Sequence, residues 1–430
     1  MRNFRAAAAL LTLCLAASAC GGDGGFGGGE LSGQSLEVAV VWSGDEQASF
    51  EAVLQAFEDE TGATVDVTST GDDIATVLGT RLEGGDPPDL AVLPQPGLLR
   101  DLAAQGSLVD IEEAAGHSVD NNYARVWREL GSVDDTLYGV WFKAANKSTV
   151  WYNTQVFSDA GVGPAENWDA MIANAETISD SGVTPFSIGG ADGWTLTDWF
   201  ENVYVRTAGP DMYDQLANHE IPWTHDSVKA ALQTLAEVFG RPELIAGGTS
   251  GALQTAFVGS VTRVFEDPPQ AAMVYEGDFV AGEIRANTNA VVGEDADFFP
   301  FPSIDGSGPA VIGGGDVAVL LNDTEAGREL MSFLATAEAA EIWAERGGFT
   351  SPNQQVDLDA YPDETSRGIA EALTEAEVFR FDLSDLQPSA FGSTPGQGLF
   401  KQFQDFLADP SNIDGITSDM EAAAAAAYGN

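Results

Sequence analysis

Residues 36–42 (LEVAVVW) form an almost unbroken apolar run, and Phe50, Val53, Leu54 and Phe57 follow at the i, i+3, i+4, i+7 spacing of one helix face. The run predicts a buried strand, and the spacing predicts an amphipathic helix that stops near Gly62. A second strand is predicted over residues 64–68. Asp73 can cap a helix carrying Ile74, Val77, Leu78 and Leu82, after which Gly84-Gly85-Asp86-Pro87-Pro88 turns the chain into a third strand, 89–93. This βαβαβ order is the start of an open, mostly parallel sheet.

The same alternation returns after Lys143. A strand is predicted over 148–153, a helix over 168–181 on Trp168, Met171, Ile172 and Ala175, and a strand over 185–188. Further helices are expected at 195–208, 226–239, 325–334, 337–346 and 419–427, with strands at 271–275 and 316–321. No repeat of 20–50 residues recurs. With 430 residues and 44% apolar composition the chain can bury a large core, and its length argues for two α/β lobes.

The first residues carry a different signal. Arg2 and Arg5 precede an apolar run over 6–17, which is too short for a permanent membrane helix but has the length of a signal-peptide core. It ends in Ala17-Ser18-Ala19-Cys20, which resembles the bacterial lipobox, although Ala17 stands where Leu is commoner. Residues 1–19 are therefore expected to be a cleaved leader and Cys20 the acylated first residue of a lipid-anchored, exported protein. An ordinary cleavage site that frees the protein is the alternative. Residues 20–35 follow as a tether with eight glycines over 21–33. It holds a formal G-x-G-x-x-G match at Gly22, Gly24 and Gly27, but with no strand before it and no helix after it this is not a dinucleotide site. Cys14 leaves with the leader, so the mature chain has no thiol for a disulfide, a nucleophile or a metal.

The mature chain would hold 16 basic against 67 acidic side chains, a formal charge of −51, with lysine only at 143, 147, 229 and 401. Nucleic acid and anionic lipid are excluded as partners, because phosphate binding needs positive charge. The membrane is reached only through the lipid anchor. There is no G-x-S-x-G elbow, Walker loop or H-E-x-x-H, and His117, His219 and His225 stand without metal-ligand companions. No catalytic group, cofactor or metal is expected.

Polar loops with rings or glycines follow the predicted strands, where open α/β sheets place ligands. Trp42-Ser43-Gly44-Asp45-Glu46 follows the first, Pro94-Gln95-Pro96-Gly97 the third, and Gly189-Gly190-Ala191-Asp192-Gly193-Trp194 a strand of the second unit. A sugar has an apolar C–H face and a rim of hydroxyls that donate and accept, so its site needs flat rings beside acidic, amide or ammonium groups. These loops supply both. Trp194, in a glycine turn, is the stronger candidate; Trp199, on a helix face with Phe200 and Val203, reads as core.

The segment YGVWFKAANKSTVWYNTQVFSDAGVGPAENWDAM over 138–171 resembles the signature of family 1 extracellular solute-binding proteins. Residues 185–223 and 313–353 are similar to its α-glucoside-binding branch. The resemblance implies a two-lobed periplasmic-binding-protein-like fold (type II) whose hinged lobes close on a central cleft, and an ABC importer, with its permease subunits, as partner. Lobe 1 would comprise 36–145 and 303–337, and lobe 2 would comprise 146–302 and 338–430, with crossings near 144–147, 298–302 and 335–340. Comparison with maltose-binding members implies Asp45, Glu46 and Gln95 as polar contacts, Trp194, Phe279 and Phe391 at or beside ring positions, and Asp385 as a hydroxyl acceptor. Phe279 would follow a strand ending near Glu276, itself a candidate ligand contact. Asn146 departs from the family by standing where an acidic hinge residue meets sugar, which puts maltodextrin specificity in doubt. Lys143 reads as a donor to sugar oxygens or as a solvated hinge lysine, and Gly315 as a place where backbone approaches ligand or as a plain turn. A sugar carrier is the expectation; a polyamine or other cation binder of the same fold, a surface glycosidase and an adhesion or sensor lipoprotein are the rivals.

The acidity reads first as a solvated surface, and second as fitness for a saline or alkaline medium. On the second reading the melting temperature of the mature protein rises with added salt; a flat response removes it.

Overall fold

The computed structural model describes residues 31–374 and 376–429, so the leader, Cys20 and most of the tether lie outside the described residues. In chain order the strands are β1 (Ser35–Val40), β2 (Thr64–Ser69), β3 (Leu90–Leu93), a short hairpin of β4 (Ser132–Val133) and β5 (Thr136–Leu137), and β6 (Gly139–Asn146). There follow β7 (Thr149–Asn153), β8 (Thr184–Ser187), β9 (Ala271–Glu276), β10 (Ala296–Pro300), β11 (Val311–Leu320) and β12 (Phe379–Phe381). They form two main sheets. The first runs β12-β11-β3-β1-β2 with β6 also on β11, and the second runs β10-β7-β9-β8. Both sheets are mixed. β1 pairs in parallel with β2 and β3, while β11 runs antiparallel to β3 and β6.

The helices form where one face can be buried and a cap ends the ladder. In Gly44–Thr61 the buried side chains include Phe50, Val53, Leu54 and Phe57, and Gly62, at φ 77°, adopts the left-handed turn that returns its N–H to Glu58. Asn167 caps Trp168–Ser181, Thr324 caps Glu325–Leu334 and Thr336 caps Ala337–Ala344, each accepting the backbone N–H three residues on. The second sheet is covered on both sides. Along β7, Val150 and Tyr152 enter one apolar cluster and Trp151 another, the period-two alternation of a strand between two layers. Among the described residues no helix is long and apolar enough to cross a membrane.

Each sheet has its own core, and core membership locates the crossings. Ala144 belongs to the first and Val150 to the second; Ile304 and Ile312 belong to the second and Val317 to the first; Phe381 belongs to the first and Leu383 to the second. Core membership thus puts the first crossing between 144 and 150 and the second between 312 and 317, past the expected 298–302. The third is displaced further. Ala335, Ala339, Ala340, Trp343, Phe349, Tyr361 and Leu373 all pack in the first core, so the expected crossing at 335–340 moves to 381–383, and residues 338–381 belong with the first lobe rather than the second. The start of the returning segment shifts too, from 303 to β11.

The lobes also touch away from the crossings. On helix Pro96–Ala104, a Cβ at Gly97 would lie 2.0 Å from the Gln387 carbonyl oxygen, so only glycine allows this approach. Ser389 bonds to Asp101 beside it, its hydroxyl at 2.8 Å. Gly97→Ala is expected to cost about 1–3 kcal/mol, as other overpacked contacts do. A urea midpoint unchanged by the substitution would show that the helix can back away.

Candidate functional site

Between the two sheets lies a cleft of about 350 Å³. Trp42, Glu46, Gln95, Lys143 and Gly315 line it from the first lobe, with Asp192, Trp194, Phe279 and Asp385 opposite. These are nine of the residues named from sequence. Strand ends place them: Trp42 follows β1, Glu46 sits in the first turn of helix Gly44–Thr61, and Trp194 opens helix Trp194–Ala208 after β8.

Rings face the cleft from both sides. Trp42 packs edge-on against Phe50 and Trp343, with centroids 5.0 and 4.8 Å away, and its Nε1 donates to Asp316 Oδ2 at 3.2 Å. Opposite, Trp194, Phe257 and Phe279 form a three-ring corner with centroid separations of 5.2, 6.0 and 5.3 Å. Asp192 supports it by accepting the Phe257 N–H at 2.6 Å. The Lys143 ammonium spans the two sides, 5.8 Å from the Trp42 ring and 5.7 Å from that of Phe279, and it forms an ion pair with Glu46.

Lys143 is buried, which opposes its charge, but Glu46, Asp316 and Asp278 outweigh that and hold its pKa above the usual lysine range. Burial likewise raises the acids around it. Asp316 is pushed up to about 6 against the pull of Lys143, and Glu283, which also faces Glu46, to about 7.

A second lysine sits deeper. Lys147, just past β6, meets Asp382 at 2.5 Å, Asp198 at 3.3 Å and Asp385 at 3.9 Å, and lies 5.5 Å from the Trp194 ring centroid. Asp198, Glu201 and Asp382 each bring an oxygen within 4.8 Å of the others, a spacing that could hold a metal ion. The donors argue against one. Lys147 already approaches two of them, and Glu201 is occupied by the N–H groups of Leu383 and Ser384 and the Tyr213 hydroxyl.

Four expected site residues stand elsewhere. Asp45 is exposed and does not line the cleft. Asn146 is buried, its side chain turned back on the Ser148 N–H at 3.0 Å, because the chain bends there between lobes. Glu276 lies behind the cleft, 1% exposed, near Lys147. Phe391 is in the second core, edge-on to Trp223 at 5.4 Å, since its short helix turns the ring inward. Gly315 does line the cleft, but its bareness answers another need: a Cβ would lie 2.5 Å from the Lys143 carbonyl oxygen across the β11–β6 pair. Trp199 is core, as read. Missed were Phe257, Glu283, Asp382 and Phe400; for Lys147 and Asp316, the scarcity of lysine and the glycine run were the available signals.

The model of bacterial extracellular solute-binding proteins matches residues 42–341, and the chain belongs to that family. It is 36% identical over 399 residues to the osmoprotective compounds-binding protein GgtB of Synechocystis sp., covering 91% of this chain and 93% of that one. It is 33% identical over 401 residues to the alpha-glucosides-binding periplasmic protein AglE of Rhizobium meliloti, covering 90% and 86%. Among solved structures, the bacterial solute receptor AcbH superimposes with a TM-score of 0.80 at 20% identity, over 91% of this chain and 99% of that one, a likeness of fold.

The raised pKa of Asp316 has a consequence for stability. The folded state keeps a proton that the unfolded chain loses near 4, so its contribution is full below about 4 and is lost as pH rises through about 6. Asp316→Asn is expected to flatten stability between pH 4 and 6 relative to wild type, measured by chemical unfolding; parallel profiles would refute the assignment.

Proposed function

We propose that this protein captures a small sugar, an α-glucoside or a short oligosaccharide, and hands it to the permease of an ABC importer without altering it. The observation that carries this is the pairing of ring faces on both sides of one cleft with Lys143 between them and carboxyl groups around it. Rings accept the C–H faces of a pyranose, and Asp192, Asp385, Gln95 and the ammonium groups can answer its hydroxyls. The names of GgtB and AglE, which bind osmoprotective compounds and alpha-glucosides, support the same chemistry. A cleft of about 350 Å³ stands at the small end of the roughly 300–1,000 Å³ usual for ligand sites, which favours a disaccharide or small glycoside over a long chain.

Capture then needs only a shift between open and closed lobes, the closed form being the one the permease recognises. Cys20, acylated after removal of the leader, would hold the protein at the outer face of the membrane, with the glycine-rich tether giving it reach.

A thermal-shift panel of trehalose, maltose, sucrose, maltodextrins, monosaccharides and putrescine tests the ligand class. A neutral sugar is expected to raise the melting temperature; stabilisation by putrescine alone would overturn the reading. Trp194→Ala is expected to raise Kd for that sugar tenfold or more with little change in stability. An unchanged Kd would remove the ring from the site.

A further inference from the structure

At the floor of the cleft and behind it, five buried carboxyl groups surround one ammonium. Asp198, Asp382 and Asp385 lie within 4 Å of Lys147 Nζ, and Glu201 and Glu276 complete the group. One positive charge cannot balance five negative ones away from water, where an uncompensated carboxylate takes up a proton instead of staying charged.

The donors decide which groups do so. Asp382 receives Lys147 at 2.5 Å, the Ser384 hydroxyl at 2.7 Å and the Asp385 N–H at 3.0 Å, and it is held well below the usual carboxylate range although burial alone would raise it. Glu201 has its three donors. Glu276, 1% exposed, receives no donor on either oxygen; Asp198, fully buried, receives only the Lys147 ammonium, at 3.4 Å on Oδ1, and its Oδ2 receives no hydrogen bond. The Asp198 charge raises the proton affinity of Glu276, and that of Asp382 raises Asp198 in turn. Bare carboxylates so placed repel, whereas a protonated one can donate to its neighbour.

We propose that Asp198 and Glu276 form a proton-binding pair at the hinge, neutral in the structure described, whose ionisation loosens the joint between the lobes. Among the described residues no cation besides Lys147 forms an ion pair with either member. From β9 the Tyr275 hydroxyl donates to the Lys147 and Asp198 carbonyl oxygens, and Arg206 is engaged by Asn202 and by the carbonyls of Phe301 and Ala310. Asp316 faces the cluster from β11 and Asp385 from the cleft, and both add negative charge when ionised. Tyr213 is bound to Glu201. Burial, the largest influence, pushes Asp198 up to about 8 and Glu276 well above the usual range. The folded state therefore holds protons that the unfolded chain releases near pH 4, and the associated stability is lost as pH rises through about 8.

The test needs no solute, so its failure leaves the sugar-binding reading untouched. Melting temperatures of the mature protein, of Glu276→Gln and of Asp198→Asn are compared from pH 6 to 9, where ordinary carboxylates are already ionised. The wild type is expected to lose several degrees over that range. Glu276→Gln, whose amide keeps its hydrogens, is expected to match it at pH 6 and to lose less than half as much. Infrared spectra of the wild type at pH 7 are expected to contain a carboxylic-acid C=O band that fades toward pH 9, a readout that does not depend on whether a variant folds. Absence of that band at pH 7, or parallel melting curves, overturns the proposal. A melting temperature raised by millimolar calcium or magnesium in the wild type but not in Asp198→Asn would assign the cluster to a metal instead and overturn it equally.

Discussion

Lys147 ties together all three passages of chain between the lobes. Its own residue stands at the first, its N–H reaches the Ile312 carbonyl at the second at 2.8 Å, and its ammonium reaches Asp382 at the third. Asp198 adds the helix that opens with Trp194, over whose ring the same ammonium lies. Removing one member of a buried, hydrogen-bonded pair typically costs about 3–5 kcal/mol, because the partner is left charged and alone. The hinge and one face of the cleft thus share an anchor, and neither can be altered without disturbing the other.

The cleft is built on a similar economy. Trp42 and Glu46 come from the first lobe and the Trp194, Phe257 and Phe279 corner from the second, with Lys143 placed between them. Asp192 reaches the corner only indirectly, through the backbone of Phe257, so it acts as a strut for the ring as well as a polar lining group. Buried charge around these rings is tolerated because each ammonium has carboxylates on more than one side, and the surplus acids are pushed toward neutrality.

Much of this was legible from residue order. Helices Asp226–Phe239 and Glu325–Leu334 match the expected spans because their apolar spacing is regular and a side chain caps each start. The loops after β1, β3 and β8 stood out because polar residues and rings interrupt apolar runs there. β6 was read only as hinge signature: buried throughout, with a lysine inside it, it has no alternation to display. The third crossing, implied by the family resemblance at 335–340, could not be checked against residue order, because Phe379–Phe381 carries neither glycine nor proline and looks like any short strand. Phe257 was invisible for the opposite reason, an apolar residue at the head of an apolar helix whose ring happens to face the cavity. Phe391 shows the reverse error. A family position predicts the backbone neighbourhood of a ring, and a small rotation about the chain decides whether that ring meets solute or core.

β11 has an implication for how the molecule is assembled. β3 gains its neighbour on that side, and β6 its partner, only from a strand that begins at residue 311, and the last pieces of the first core arrive with residue 381. The amino-terminal lobe therefore cannot be completed until the chain has been made past residue 381. The first sheet thus stays incomplete, and the lobe pliable, until residues far along the chain are at hand.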